Sequence, residues 1–132
     1  MPVVDASVLV ELLADGEHAE LVGERLAAEE HALWAPYLVD AEVGHALRRV
    51  VRLGGLDADV AGEALWQLDE LPVRRVAHEL LIHVAWVLRD NLSFYDALYV
   101  ALAEMLEEPL LTFDARLARA GLETKVEVLA QA

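Results

Sequence analysis

The stretch Val3-Val4-Asp5-Ala6-Ser7-Val8-Leu9-Val10 decides the fold. Pro2 to Asp5 is β-branched enough for a short strand, and Ala6 to Ala14 has the composition of a helix, so strand passes straight into helix with an acid at the junction. Working outward, the same alternation recurs. Glu17 to Glu30 reads as an amphipathic helix with Leu21, Val22 and Leu26 between charges, and Ala32 to Pro36 as a second short strand ended by proline. Leu38 to Arg52 carries Val39, Val43, Leu47, Val50 and Val51 near one face and is stopped by Gly54-Gly55. A helix over Ala58 to Leu71, broken by Pro72, precedes a strand over Val73 to Val76 and a helix over His78 to Arg89. Ser93 opens a helix through Glu107, Leu110 to Thr112 is a strand, Asp114 opens a short helix ended by Gly121, and Val126 to Leu129 is a last strand. Short strands alternating with helices predict an α/β fold: a mainly parallel central sheet with helices on both faces.

Composition bounds what such a chain can do. At 132 residues with no segment of low complexity, one domain spanning residues 1–132 is expected. The hydrophobic fraction, 57%, argues for a compact chain with surface to spare for an oligomer, a dimer being expected. The longest uncharged apolar stretch, Leu80 to Leu88, is far shorter than the ~18 residues of a membrane helix. No basic segment precedes Val3-Val4-Asp5, so no secretory signal is read there, and without cysteine the expected setting is the cytoplasm. The absence of cysteine also removes thiolate zinc sites and thiol catalysis. A net charge of -14 argues against a broad basic face for nucleic acid.

In parallel α/β sheets, ligands bind outside the carboxyl ends of the strands. Four acids fall at positions this rule marks: Asp5 ends the first strand, Asp114 follows the strand Leu110-Leu111-Thr112, Asp96 lies in the first turn of a helix, and Glu42 sits on the Leu38 helix. Each has an ordinary explanation: Asp5 and Asp114 as helix caps, Ser93-x-x-Asp96 as a capping box, Glu42 as a solvated acid. Together they mean more, because converging carboxylates repel unless a cation lies between them. Oxygen donors without cysteine select Mg²⁺ or Mn²⁺, ions that serve phosphoryl chemistry by lowering the pKa of a water and stabilising charge on the phosphate. Ser7 and Thr112, two residues from Asp5 and Asp114, stand where hydroxyls could support those carboxylates.

On the Leu38 helix, Glu42, His45, Arg49 and Arg52 fall within an arc of about 80°, a stripe able to lead a phosphate backbone toward the acids or simply to face solvent. Arg116 and Arg119 make a smaller candidate of the same kind. His78 and His83 lie about 140° apart around a helix and so share no face, which disfavours zinc. Trp34, Trp66 and Trp86 lack basic neighbours suited to base stacking and are expected in the core or in an oligomer contact. Neither a phosphate-cradling G-x-x-x-x-G-K-[ST], nor G-x-G-x-x-G, nor a G-x-S-x-G elbow is present.

The segments Val3-Val4-Asp5-Ala6-Ser7, Tyr37-Leu38-Val39-Asp40-Ala41-Glu42 with Ala46-Leu47-Arg48-Arg49, Leu92-Ser93-Phe94-Tyr95-Asp96-Ala97-Leu98-Tyr99 and Leu110-Leu111-Thr112-Phe113-Asp114 resemble, in order and spacing, the PIN-domain nucleases. The closest likeness is to VapC-type toxins of bacterial toxin-antitoxin pairs. The resemblance implies a three-layer α/β/α sandwich and a Mg²⁺- or Mn²⁺-dependent endoribonuclease. It also implies inhibition by a cognate antitoxin near the active site. The metal-site acids carry onto Asp5, Glu42, Asp96 and Asp114, with Ser7 and Thr112 at the supporting hydroxyl positions.

A rival reading, a phosphoryl-accepting signalling module, requires an adjacent acidic pair after the first strand and a lysine after a later one. Asp5 stands alone there, and Lys125 is the only lysine in the chain. A non-catalytic RNA- or partner-binding module remains a second rival. Assigning four acids to a site leaves acids at about twice the bases, so RNA must be held locally by metal and a few arginines, with a shallow salt dependence. The same acidic surface suits an antitoxin carrying a basic segment.

Overall fold

The computed structural model describes residues 1–130. The Val3-Val4 strand (β1) runs into a helix over Ala6–Leu13 (α1), and a second helix follows over Ala19–Ala27 (α2). Leu33–Pro36 (β2) leads to the long helix Leu38–Arg52 (α3) and then Ala58–Leu68 (α4). After Val73–Val76 (β3) come a 3₁₀ turn at His78–Leu80, Ile82–Val87 (α5) and Phe94–Leu106 (α6). Leu110–Thr112 (β4), Ala115–Ala118 (α7) and Val126–Val128 (β5) complete the order.

The described strands form one sheet in the order β3-β2-β1-β4-β5, every pairing parallel. Parallel neighbours need crossovers, and the helices supply them. β1 is central: Val3 aligns with Trp34 of β2 on one side, and Val3 and Val4 align with Leu110 and Leu111 of β4 on the other. The chain winds outward from β1 to β3, then returns to lay β4 on the opposite side. The order therefore reverses between β1 and β4, which opens a crevice at their carboxyl ends.

Two groups of helices cover the sheet, giving the three-layer arrangement. α1 packs on α2, α3 and α4, while α6 packs on α5 and lies against β1, β2 and β4. Val3, Val4, Leu110 and Leu111 are fully buried between them, as strands covered on both faces require. α6 is the most enclosed helix, with Ala97 to Ala103 all buried. It ends at Glu107 in a left-handed conformation (φ 54°), so its termination does not rely on glycine. α3 stops where Gly54 takes φ 79°, a conformation natural to glycine.

Two expectations change. The helix expected over His78 to Arg89 is broken at the buried Leu81 into a 3₁₀ turn and α5, and Nε2 of His78 in that turn accepts the Leu38 N–H at the start of α3 (2.9 Å). Trp66 and Trp86 do not enter the core: they are 73% and 60% exposed, on α4 and α5. Trp34 is half-buried on β2, with Arg74 lying 5.5 Å from the ring centre. Among the described residues, no helix is long and apolar enough to cross a membrane.

Candidate active site

Asp5 leaves β1 in extended conformation (φ -93°, ψ 173°) and caps α1. Its half-buried carboxylate is clamped by two hydroxyls. Ser7 donates to Oδ1 at 2.6 Å, Thr112 at the end of β4 donates to Oδ2, and the Val8 N–H adds a long contact to Oδ1 (3.4 Å). Both hydroxyls also accept: Ser7 Oγ takes the Phe113 N–H (3.1 Å) and Thr112 Oγ1 takes the Asp114 N–H (2.9 Å). Neighbouring strand ends are thus stitched together through the Asp5 carboxylate. Burial raises its pKa to about 6, against the lowering effect of the bonds from Ser7 and Thr112. Of roughly four acceptor positions on a carboxylate, three are used, which leaves room for a further ligand.

Asp114 caps α7 by accepting the Arg116 N–H (2.9 Å), and the Arg116 guanidinium grips the same carboxylate in a forked pair, Nη2 to Oδ2 at 2.6 Å and Nε to Oδ1 at 3.0 Å. That hydrogen-bonded cation is the main reason its pKa lies below the ordinary value. Glu42 projects from α3 and accepts a hydrogen bond from the buried Tyr99 hydroxyl of α6 (2.6 Å). Burial first, then Glu42, Asp5 and Asp96, push the Tyr99 pKa upward, so three acids bear on one phenol. Asp40, near Glu42 in sequence, is tied instead to Arg75 on β3 (2.7 Å).

Asp96 lies in the first turn of α6, where Ser93 Oγ accepts its N–H (3.2 Å). This is half of the expected capping box. Among the described residues the Asp96 carboxylate accepts no hydrogen bond of its own, so capping Ser93 does not account for it.

A groove of about 850 Å³ runs beside these acids, lined by Ser7 and Glu42 and by the apolar Val10, Leu38, Ala41 and Ala46. His45 and Arg49 reach it from α3. Arg52 does not: with Arg48 it borders a separate cleft between α3 and α4. Arg116 lies outside the groove with its side chain 77% exposed. The other wall is aromatic, formed by Tyr95 and Phe113, with Glu11 beside it. Phe113 stacks on His18 at 5.8 Å between centroids and 23° between planes, and Glu11 accepts the His18 N–H (2.7 Å).

These aromatic groups and Tyr99 are absent from the expected site. Tyr99 carried a signal in that a tyrosine within an apolar run must find its hydroxyl a partner when buried. His18 and Phe113, 95 positions apart in the sequence, gave none.

The donors are all hard oxygens, the kind that Mg²⁺ and Mn²⁺ prefer; the raised Asp5 pKa reflects burial, and only at Tyr99 do the neighbouring acids add to it. Among the described residues, no three Asp, Glu or His groups come close enough to make a ready-built cage.

A family model described as PIN domain matches residues 3–122. Ribonuclease VapC1 of Mycobacterium tuberculosis is 46% identical over 129 residues, covering 96% of each chain. Among solved structures, the M. tuberculosis sarcin-ricin loop cleaving toxin VapC20 aligns with a TM-score of 0.71 at 21% identity, over 92% of this chain and 96% of its own. A toxin-antitoxin complex from Klebsiella pneumoniae aligns over 100% of both chains with a TM-score of 0.69 at 16% identity.

Proposed function

The chain belongs to the PIN-domain family, and from that premise we propose that it is an endoribonuclease, the toxin of a toxin-antitoxin pair, hydrolysing RNA phosphodiesters with Mg²⁺ or Mn²⁺. The observation that carries this reading is the placing of Asp5 at the end of β1, bonded to Thr112 at the end of β4, with Glu42 held by Tyr99 of α6, the helix whose first turn bears Asp96. Asp5, Asp96 and Asp114 would hold the ion, directly or through water, while Glu42 would hold a second ion or orient the attacking water. Once bound, the ion supplies Lewis-acid stabilisation of the phosphate and activates water.

The protein groups have distinct tasks. Ser7 and Thr112 fix both Asp5 oxygens, so that this carboxylate meets its ligand without reorganising. Tyr99 does the same for one oxygen of Glu42 and leaves the other free. Arg116, exposed and paired with Asp114, can turn from that carboxylate to a substrate phosphate when a cation takes its place. His45 and Arg49 would guide the strand along the groove.

The reading extends to a cytoplasmic setting, a homodimer and an antitoxin partner with a basic segment, the last suited to a net charge of -14. Asp5→Asn and Asp96→Asn should each lower Mg²⁺-dependent RNA cleavage by about 100-fold or more and relieve growth inhibition in the producing cell, with unchanged circular dichroism. Undiminished cleavage by either folded variant would falsify the assignment, and cleavage surviving chelation would remove the metal from it.

A further inference from the structure

Beyond the phosphodiester chemistry, and resting on the reading of the chain as a ribonuclease, we propose that the groove holds an unpaired nucleobase, stacked on the aromatic wall of Tyr95 and Phe113, beside the reacting phosphate. The groove's volume, about 850 Å³, lies in the range of small-molecule sites, and its lining from Val10, Leu38, Ala41 and Ala46 is apolar. A phosphate backbone alone would gain nothing from such a lining, whereas a base has a face to bury.

The aromatic groups are placed for that use. Tyr95 immediately precedes Asp96 in the first turn of α6 and is 63% exposed, a large ring left in water next to a candidate metal ligand. Phe113 is fixed twice: its N–H binds Ser7 Oγ (3.1 Å), the hydroxyl that also clamps Asp5, and its ring stacks on His18. Glu11, by accepting the His18 N–H, holds the loop that carries the stacked imidazole. The ring is therefore already supported on one side, and its backbone lies one hydroxyl away from the Asp5 carboxylate. On the α3 side, His45 and Arg49 offer cationic or hydrogen-bonding groups to the phosphates flanking such a base.

Charge favours the stack. A chain of net charge -14 repels a polyanion at a distance, so little affinity can come from counterion release. Stacking is independent of salt and tolerant of sequence, and needs a base splayed out of a helix, as in loops and single strands. The same groove filled by a hydrophobic segment of a protein partner is the competing occupancy.

The experiment measures binding of a single-stranded RNA of mixed sequence by fluorescence anisotropy. It uses the Asp96→Asn protein, so that the strand is not consumed, and the same strand paired in a duplex is the comparison. Tyr95→Ala should weaken single-strand binding about tenfold, with Tyr95→Phe close to the parent, and should leave the salt slope unchanged. Arg49→Gln should instead reduce that slope by about one. In the active protein, Tyr95→Ala should raise KM by a similar factor with kcat little altered. Phe113→Ala should act in the same direction, and Tyr95, being exposed, keeps the test decisive if that variant does not fold.

Equal affinity for duplex and single strand, or a Kd unmoved by both Tyr95→Ala and Phe113→Ala, would overturn the proposal and leave the wall to a protein partner. A kcat loss at constant Kd would also overturn it, by giving Tyr95 a role in shaping α6. If the wild-type protein cleaves no RNA, the ribonuclease reading fails on its own, while the binding titration still decides the stacking.

Discussion

Asp5 and Asp114 leave the carboxyl ends of two neighbouring parallel strands and each caps a helix, yet their surroundings are opposite. Asp5 is set into the fold and held by the neutral hydroxyls of Ser7 and Thr112, so burial dominates and its pKa rises to about 6. Asp114 lies nearer the surface in the grip of Arg116, so a cation dominates and its pKa falls. Hydrogen bonds alone do not settle a carboxylate's charge state; whether a compensating charge sits within reach does. The fold has left one strand-end carboxylate with neutral donors only and given the other an arginine.

The largest effect that would break this contrast is in stability against pH, without divalent ions. Between pH ~4 and ~6 the folded Asp5 keeps a proton that the unfolded chain has lost, so stability falls as pH rises through that window, by on the order of 3 kcal/mol for a group moved from 3.8 to about 6. Asp114 works the other way: its lowered pKa stabilises the fold above the unfolded value, and that gain is lost as pH falls through the folded one. Asp5→Asn should remove the decline between pH 4 and 6, as read from urea midpoints. An identical decline in the variant would mean that Asp5 is not the buried group responsible.

Next in size is the hydroxyl shared by the two sites. Thr112 is fully buried; Thr112→Val would deprive Asp5 of a donor and leave the Asp114 N–H without its acceptor. The expected cost is about 1–3 kcal/mol, and the acid limb of the cleavage pH profile should move upward because a bond that lowers the Asp5 pKa is gone. Thr112→Ser should restore the profile and recover most of the stability. A Val variant as stable as the parent would show that the bridge is dispensable.

How far the sequence could be read follows from where each interaction comes from. α3 is visible end to end, Leu38 to Arg52, because its apolar spacing and the Gly54-Gly55 stop are local signals. The strand-end positions of Asp5 and Asp114 are visible for the same reason. The Ser7 to Phe113 and Tyr99 to Glu42 bonds span 106 and 57 positions and exist only once β1 lies beside β4 and α3 faces α6. Nor does periodicity place the end of a helix relative to the sheet: Glu42, His45, Arg49 and Arg52 share a face, yet the last residue borders a different cleft. For Trp66 and Trp86, bulk and hydrophobicity could not choose between the core and an oligomer contact, and their exposure on α4 and α5 removes only the core.

The smallest expected effect isolates the role of charge at Asp114. Arg116 is exposed, and an exposed ion pair contributes little to folding, so Arg116→Gln should lower the urea midpoint only slightly at neutral pH. The Asp114 carboxyl, followed by its ¹³C resonance, should nevertheless titrate at higher pH than in the parent, since the Arg116 hydrogen bond is the main cause of its lowered pKa. If Arg116 also turns to a substrate phosphate, the variant should bind single-stranded RNA with a salt slope lower by about one. An unmoved Asp114 resonance would assign its low pKa to the α7 cap instead, and the contrast with Asp5 would then be one of backbone geometry, not of a mobile cation.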